Sequence, residues 1–199
     1  AVAPDGSLLL EETPFYAESG GQVGDRGVIE GESGAFAVDD TQKPADGLIL
    51  HRGRLTRGEL REGDAVRAVI DRERRAALRR NHTATHLLNE ALRRCVDPAI
   101  RQAGSHVAPD RLRFDFNHYE ALTAGQIVDI ERFVTRCILQ NEPLSVREMA
   151  LKDVQKDESI QALFDEKYGE TVRVVEVRGI SRELCGGTHA SATGEIGPF

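Results

Sequence analysis

Arg80-Asn81-His82-Thr83-Ala84-Thr85-His86 sets two imidazoles four residues apart inside a helical pattern. From Arg72 to Cys95, apolar residues recur at Ala77, Ala84, Leu87, Leu88, Ala91, Leu92 and Cys95, close to the 3.6-residue period of an amphipathic helix. At roughly 100° per residue, His82 and His86 lie about 40° apart, on one helix face. That face is nearly opposite the apolar stripe and is shared with Arg75, Arg79, Asn89 and Arg93. Core histidines satisfied by hydrogen bonds belong on the apolar face, so that reading fits poorly. Two solvated surface histidines remain an alternative. A zinc-protease helix needs Glu directly after the first His as general base; Thr83 stands there, which excludes it.

A second pair with the same spacing, Leu184-Cys185-Gly186-Gly187-Thr188-His189, changes the weighing. It follows Thr171-Val172-Arg173-Val174-Val175-Glu176-Val177, which alternates as a strand does. Two glycines allow the backbone to turn sharply and approach an ion closely. Cys95 and Cys137 fall on apolar helical faces and read as small buried hydrophobes. Cys185, among glycines, Thr188 and His189, does not. His82, His86, Cys185 and His189 together form an N- and S-donor set suited to tetrahedral zinc.

H-x-x-x-H on a helix followed about a hundred residues later by C-x-x-x-H resembles the editing domain of alanyl-tRNA synthetase and its free-standing AlaX relatives, with the threonyl-tRNA synthetase editing domain more distant. Phe15-Tyr16-Ala17-Glu18-Ser19-Gly20-Gly21-Gln22-Val23-Gly24-Asp25 resembles that family's glycine-rich segment. Arg113-Phe114-Asp115-Phe116, Glu166-Lys167-Tyr168-Gly169 and Glu183-Leu184-Cys185-Gly186-Gly187-Thr188-His189 are also similar to the bacterial synthetase, from about residue 8 to the end and in order.

The chain has 199 residues, 40% hydrophobic and 30% charged, an ordinary globular composition sufficient for one large or two small domains. No apolar run is long enough for a membrane span, and Ala1-Val2-Ala3-Pro4-Asp5 is not a signal peptide. A start without Met and an end at Gly197-Pro198-Phe199 read as a piece of a longer chain. Three cysteines argue against a disulfide framework and fit a reducing cytoplasm. A net charge of −7 does not mark a self-sufficient nucleic-acid binder. Arg72, Arg74, Arg75, Arg79 and Arg80 concentrate positive charge at the ligand helix, either as a solvated face or as a contact for RNA phosphates.

An α+β fold in two parts is expected. Residues 1–71 carry short apolar runs at Leu8–Leu10, Gly27–Ile29, Ala35–Val38, Leu48–His51 and Ala65–Ile70, broken by Gly, Pro and Asp, which points to a small barrel or sandwich. The family resemblance implies a small β-barrel. Residues 72–199 would be the editing core, with the ligand helix and an antiparallel sheet. Asp71 is the expected N-cap of the ligand helix, and Val96-Asp97-Pro98 ends it. Gln102–Val107 and Leu112–Phe116 read as strands. Thr123–Gln126 has capping-box form and opens a helix burying Ile127, Ile130, Phe133, Val134, Cys137 and Ile138. Residues 144–151 and 171–177 read as strands, with a short helix from Ser159 to Lys167 between them. His106 and His118 read as structural, and His51 as exposed at a strand end.

The resemblance implies hydrolysis of the ester joining serine or glycine to the 3′-terminal adenosine of tRNA(Ala), inside an ATP-dependent ligase. A pocket shaped for alanine rejects glycine or serine only modestly, so a second hydrolytic site adds discrimination. It implies Zn2+ on His82, His86, Cys185 and His189; since a closed four-ligand site resembles a structural one, Cys185 is taken as the labile ligand. Thr85, between the histidines, and Gln102, matching a family pocket position, are candidate catalytic neighbours together with Cys185. Glu18, Ser19, Gly20 and Gly21 would sense the aminoacyl group. From the residues alone, Ser19–Gly24 reads better as a plain turn between strands, since it lacks the lysine and following helix of a P-loop. Arg113 and Asp115 either serve the site or pair with each other. The fragment is expected to be monomeric. Rival readings are a free-standing AlaX-type deacylase, a tRNA-binding module with purely structural zinc, and a metal-dependent hydrolase of small esters or amides.

Overall fold

The computed structural model describes residues 6–157, 159–161 and 169–199. The fold is α+β with antiparallel sheets, and the chain divides into two compact units, residues 1–77 and 78–199.

The first unit is a five-stranded sheet of β1 (Leu8–Leu9), β2 (Gly27–Gly31), β3 (Gly34–Ala45), β4 (Leu48–Gly58) and β5 (Val66–Ile70), in the order β1-β4-β3-β2-β5. All neighbours are antiparallel. Register shifts in the β3–β4 ladder, between Ala35/Phe36, Val38/Asp40 and Gln42/Ala45, bend the long hairpin and increase its twist. The expected barrel is therefore a curled sheet whose hydrogen-bond order ends at β1 and β5. Its concave face buries Leu8, Phe15, Ile29, Phe36 and Val38, with Ile29 wholly inaccessible between exposed Val28 and Glu30. That alternation is the period-2 pattern of a half-buried strand.

β3 and β4 run well past the apolar stretches that announced them, since Asp39–Ala45 and Arg52–Gly58 are mostly polar or glycine. The extension overturns the reading of His51. Instead of an exposed strand end, His51 is fully buried within β4. Its Nδ1 bonds Leu8 O at 3.0 Å, Thr13 Oγ1 lies 2.8 Å from Nε2, and the Phe15 ring meets it edge-on. Burial lowers its pKa, the Leu8 carbonyl opposing.

Helix α1 (Arg72–Cys95) begins in this unit, and the unit boundary falls after Ala77. Asp71 caps it as expected, accepting from Arg74 N at 3.0 Å. Arg75 in its first turn reaches Asp25: Nε lies 2.9 Å from both carboxylate oxygens and Nη2 also bonds Oδ2. Tyr16 N donates to the same carboxylate at 2.7 Å, closing the segment from Pro14 to Asp25.

The second unit holds the rest of α1, the hairpin β6 (Gln102–Val107) and β7 (Leu112–Phe116), helix α2 (Ala124–Gln140), β8 (Leu144–Ala150), the short α3 (Leu151–Val154), β9 (Thr171–Val177) and β10 (Ser181–Leu184). The last three strands form an antiparallel sheet in the order β10-β9-β8, and Thr193–Ile196 makes a 3-10 turn. α2 opens on the expected capping box, Thr123 accepting from Gln126 N while Gln126 accepts from Thr123 N, and closes on left-handed Asn141. Leu87, Ala91 and Leu92 of α1 pack on Ile130, Phe133, Val134, Cys137 and Ile138 of α2 and on Val177. Each fully buried leucine contributes about 1.5–3 kcal/mol. Ile127, assigned to this face by period, lies at its margin and is exposed. β10 was not expected, because Ser181-Arg182-Glu183 carries no apolar signal. Six of the nine residues of the anticipated Ser159–Lys167 helix, and most of Glu166-Lys167-Tyr168-Gly169, lie outside the described residues. Described Gln161 instead bridges to Glu183.

Candidate metal centre

α1 offers His82 and His86 one turn apart, their rings stacked with centroids 5.4 Å apart. The face opposite the leucines is buried too: His82 is 5%, His86 7% and Asn89 6% exposed. The loop after β10 brings Cys185 and His189 against it. The donor atoms of His82, His86, Cys185 and His189 all lie within 4.8 Å of one another. Cys185 Sγ stands 3.3 Å from His82 Nε2 and 3.3 Å from His189 Nε2. A zinc tetrahedron with Zn–S of about 2.3 Å and Zn–N of about 2.0–2.1 Å has an S···N edge of about 3.5 Å. Donor types and spacing therefore fit that ion.

The loop is fixed by its backbone. Cys185 N donates to Arg173 O at 3.0 Å, and the Arg173 guanidinium bonds the carbonyls of Gly186 and Gly187. Neither glycine has a positive φ, so the turn needs no left-handed residue. Gly187 N points at Cys185 Sγ, 3.4 Å away. On the helix side, buried Thr83 donates to Arg79 O, so its oxygen is left to accept from Ala190 N at 3.0 Å and, at 3.4 Å, from His189 Nδ1. With Nδ1 protonated, His189 presents Nε2 to the cluster. Glu183 Oε2 lies 2.7 Å from His86 Nδ1, which leaves His86 Nε2 likewise facing the other donors.

These neighbours set the charge. Burial alone would push the Cys185 thiol up; His82, His189 and His86 more than offset it and hold the thiol well below its usual range. Burial would push His86 down, but the Glu183 carboxylate and Cys185 raise it well above the usual histidine range. Burial takes His189 down to about 3, against its bond to Cys185 and helped by the charge of His86. A metal requires this cysteine as thiolate, and the surrounding histidines favour that form.

The remaining anticipated residues have other bonds. Thr85 is buried and donates to Asn81 O within its own helix. Gln102, at the start of β6, donates to Ser105 Oγ at 3.1 Å, and no bond joins it to the four donors among the described residues. Arg113 and Asp115 pair with each other across 3.1 Å on the exposed face of β7. Glu18, Ser19, Gly20 and Gly21 belong to the first unit. Glu18 accepts from Gln42 at 2.8 Å, and Ser19 and Gln22 bond reciprocally around Gly20 and Gly21, whose φ values of +56° and +80° make a tight turn suited to glycine. Thr83, Glu183 and Asn89 were not singled out in advance. The carboxylate of Glu183 two residues before Cys185, and Asn89 one turn after His86, were the available signals.

Comparison with known proteins bears on both units. Residues 3–74 match the model for class II (A) tRNA synthetases, and residues 172–199 match that for the threonyl and alanyl tRNA synthetase second additional domain. Over 192 residues the chain is 48% identical to an alanine–tRNA ligase of Thermotoga petrophila, covering 96% of this chain and 22% of that protein. It is 51% identical over 195 residues to the Methylococcus capsulatus ligase, covering 98% of this chain and 22% of the relative. The Thermus thermophilus ligase is 51% identical over 198 residues, again with 22% of its length covered. The chain spans about a fifth of the length of these curated relatives. With its order of similarity running through both units, the chain belongs to the alanyl-tRNA synthetase family.

Proposed function

We propose that the chain is the editing part of an alanine–tRNA ligase and hydrolyses Ser-tRNA(Ala) and Gly-tRNA(Ala). The observation carrying this is the convergence of His82, His86, Cys185 and His189 in a chain of this family. Zn2+ would be held by those four residues. When bound it would supply Lewis acidity and a lowered pKa for a coordinated water.

In the reaction, water oxygen bonds to the aminoacyl carbonyl carbon, the carbon–oxygen bond to the ribose breaks, and a proton passes to the released 3′ oxygen. Buried Thr83 and Glu183 keep His189 and His86 oriented while this occurs. Residues 1–71 would present Glu18, Ser19 and the backbone of Gly20 and Gly21 to the aminoacyl group, residues 72–199 forming the core. Thr85 and Gln102 are the proposed neighbours of the reacting ester, and Arg113 and Asp115 the proposed contacts to the tRNA 3′ end. The partner is tRNA(Ala), the compartment the cytoplasm, and the fragment a monomer. Among the described residues no helix is long and apolar enough to cross a membrane.

A closed set of four protein ligands also resembles a structural zinc site, and this favours one rival, a tRNA-binding module without activity. Hydrolysis of Ser-tRNA(Ala) and Ala-tRNA(Ala) by this chain and by Cys185→Ala, with bound zinc quantified, separates the two. Preferential cleavage of the seryl ester, lost in the variant, supports editing. Stoichiometric zinc without cleavage, in both this chain and the full-length ligase, overturns it.

A further inference from the structure

Behind His86 lies a buried polar chain of which the reading above uses only the Glu183 contact. Glu183 is 8% exposed. Its Oε2 takes His86 Nδ1 at 2.7 Å, and its Oε1 takes Asn89 Nδ2 at 3.3 Å. Asn89 Nδ2 also bonds Gln161 Oε1 at 3.3 Å, and Gln161 Nε2 bonds Glu90 Oε2 at 3.3 Å. Glu90 is held by Arg94 Nε at 2.7 Å. The orientation of the Asn89 amide follows from its surroundings. Reversed, its oxygen would face two acceptors, Glu183 Oε1 and Gln161 Oε1. As placed, its Oδ1 is buried and has no partner among the described residues, a cost accepted for the contact to Glu183.

The backbone beneath Glu183 is equally constrained. Glu183 pairs with Val175 of β9 on one side and bridges to Gln161 on the other, where Leu184 N donates to Gln161 O at 2.9 Å. Side chains two apart on a strand share a face, so β10 directs Glu183 toward α1 with Cys185 following on the same side.

We infer that Glu183, steadied by Asn89, is a positioning residue: it fixes the Nδ1–H tautomer and the ring plane of His86, so that Nε2 is aimed at the metal with Cys185 and His189. A carboxylate behind a ligating imidazole also increases its basicity as a donor, and removing such a partner commonly costs 10–100-fold in metal affinity. This inference rests on the metal-centre reading.

The test measures Zn(II) affinity by competition with a chromophoric chelator, and the visible spectrum of the Co(II)-loaded protein, in the intact chain. The proteins are the unchanged chain, Glu183→Ala, Glu183→Gln, Asn89→Ala and Cys185→Ala. Glu183→Ala is expected to weaken Zn(II) by about 10–100-fold and to alter the Co(II) ligand-field bands. Glu183→Gln keeps an acceptor for His86 but turns an NH2 toward Asn89, so it falls between. Asn89→Ala loses a few-fold. Melting temperatures with and without metal separate aim from fold, since a positioning role shrinks the metal-induced increment. Should Glu183→Ala fail to fold, Glu183→Gln decides. Zn(II) affinity within about twofold of unchanged, with unaltered Co(II) bands, in the folded Glu183 variants overturns the inference and leaves the metal centre standing. If the unchanged chain binds Zn(II) no better than Cys185→Ala, the metal-centre reading itself fails and the inference with it.

Discussion

Arg75→Met is expected to destabilise the first unit by about 3–5 kcal/mol. The figure comes from the burial of the partner. The Asp25 side chain is 1% exposed and that of Arg75 12%. Removing the guanidinium strips Asp25 of the cation that hydrogen-bonds it, leaving the bond from Tyr16 N and the weaker field of Arg74, and it also removes a donor from Pro14 O. An exposed ion pair would be worth about 0.2–1 kcal/mol, so burial should raise the cost several-fold. Met preserves helix propensity and most of the aliphatic volume, isolating the charge. Urea unfolding followed by far-UV circular dichroism and by tyrosine emission measures it, the chain having no Trp and Tyr16 lying inside the affected segment. A double-mutant cycle with Asp25→Asn should show a coupling of about 1–3 kcal/mol, because neutralising Asp25 relieves the unpaired charge. A cost under about 1 kcal/mol, or strict additivity in the cycle, would refute the argument that a desolvated pair holds this segment.

Three other outcomes are expected. His51 titrates below its ordinary 6.5 when folded, so the unfolded chain takes up its proton first; the stability it contributes is full above pH 6.5 and is lost as pH falls through the lower folded value. The difference in unfolding free energy between the unchanged chain and His51→Gln should therefore shrink on acidification from about pH 8 to 5, and a pH-independent difference would contradict it. Chelation should lower the melting temperature, since an ion at a thousandfold excess over its dissociation constant stabilises by about 4 kcal/mol, or about 8–16 °C for a chain this size; calorimetry showing no recovery on zinc addition would count against the centre. Thr123→Ala removes the α2 capping box and should cost about 1 kcal/mol in urea unfolding, with Thr123→Ser retaining most of it.

Where local chemistry determines structure, the residues were legible. The apolar period of α1, the Asp71 cap, the Thr123–Gln126 box and the hairpin around Pro109-Asp110 all formed as their patterns imply. Failures came where distant partners decide. His51 looks like surface beside the exposed polar half of β4, and only the paired strands and Thr13 bury it. The histidine face of α1 looks solvated by the same logic; what covers it is β10 and its loop, far along the chain, with Glu183 answering His86 and Arg173 holding Gly186 and Gly187. β10 itself, Ser181–Leu184, has no strand-like composition and exists through pairing with β9. The donor set was readable because spacing four on a helix and C-x-x-x-H are short-range signals, whereas their supporting bonds span up to 107 residues.

That wide separation has a consequence during synthesis. Two of the donors emerge from the ribosome at His82 and His86, while Cys185 and His189 follow only after the intervening hairpin, α2 and strands β8, β9 and β10 have been made. A nascent chain therefore carries a two-ligand helix, a weak and promiscuous binder, until Cys185 and His189 are released. An ion joining the two halves then closes a loop of about 100 residues, a restraint on the denatured chain comparable in the chain-entropy picture to a disulfide of that span, about 4–5 kcal/mol. Any truncation before His189 forfeits this cross-link along with the site, so prematurely terminated chains should be recognised by proteases as loose from α1 onward.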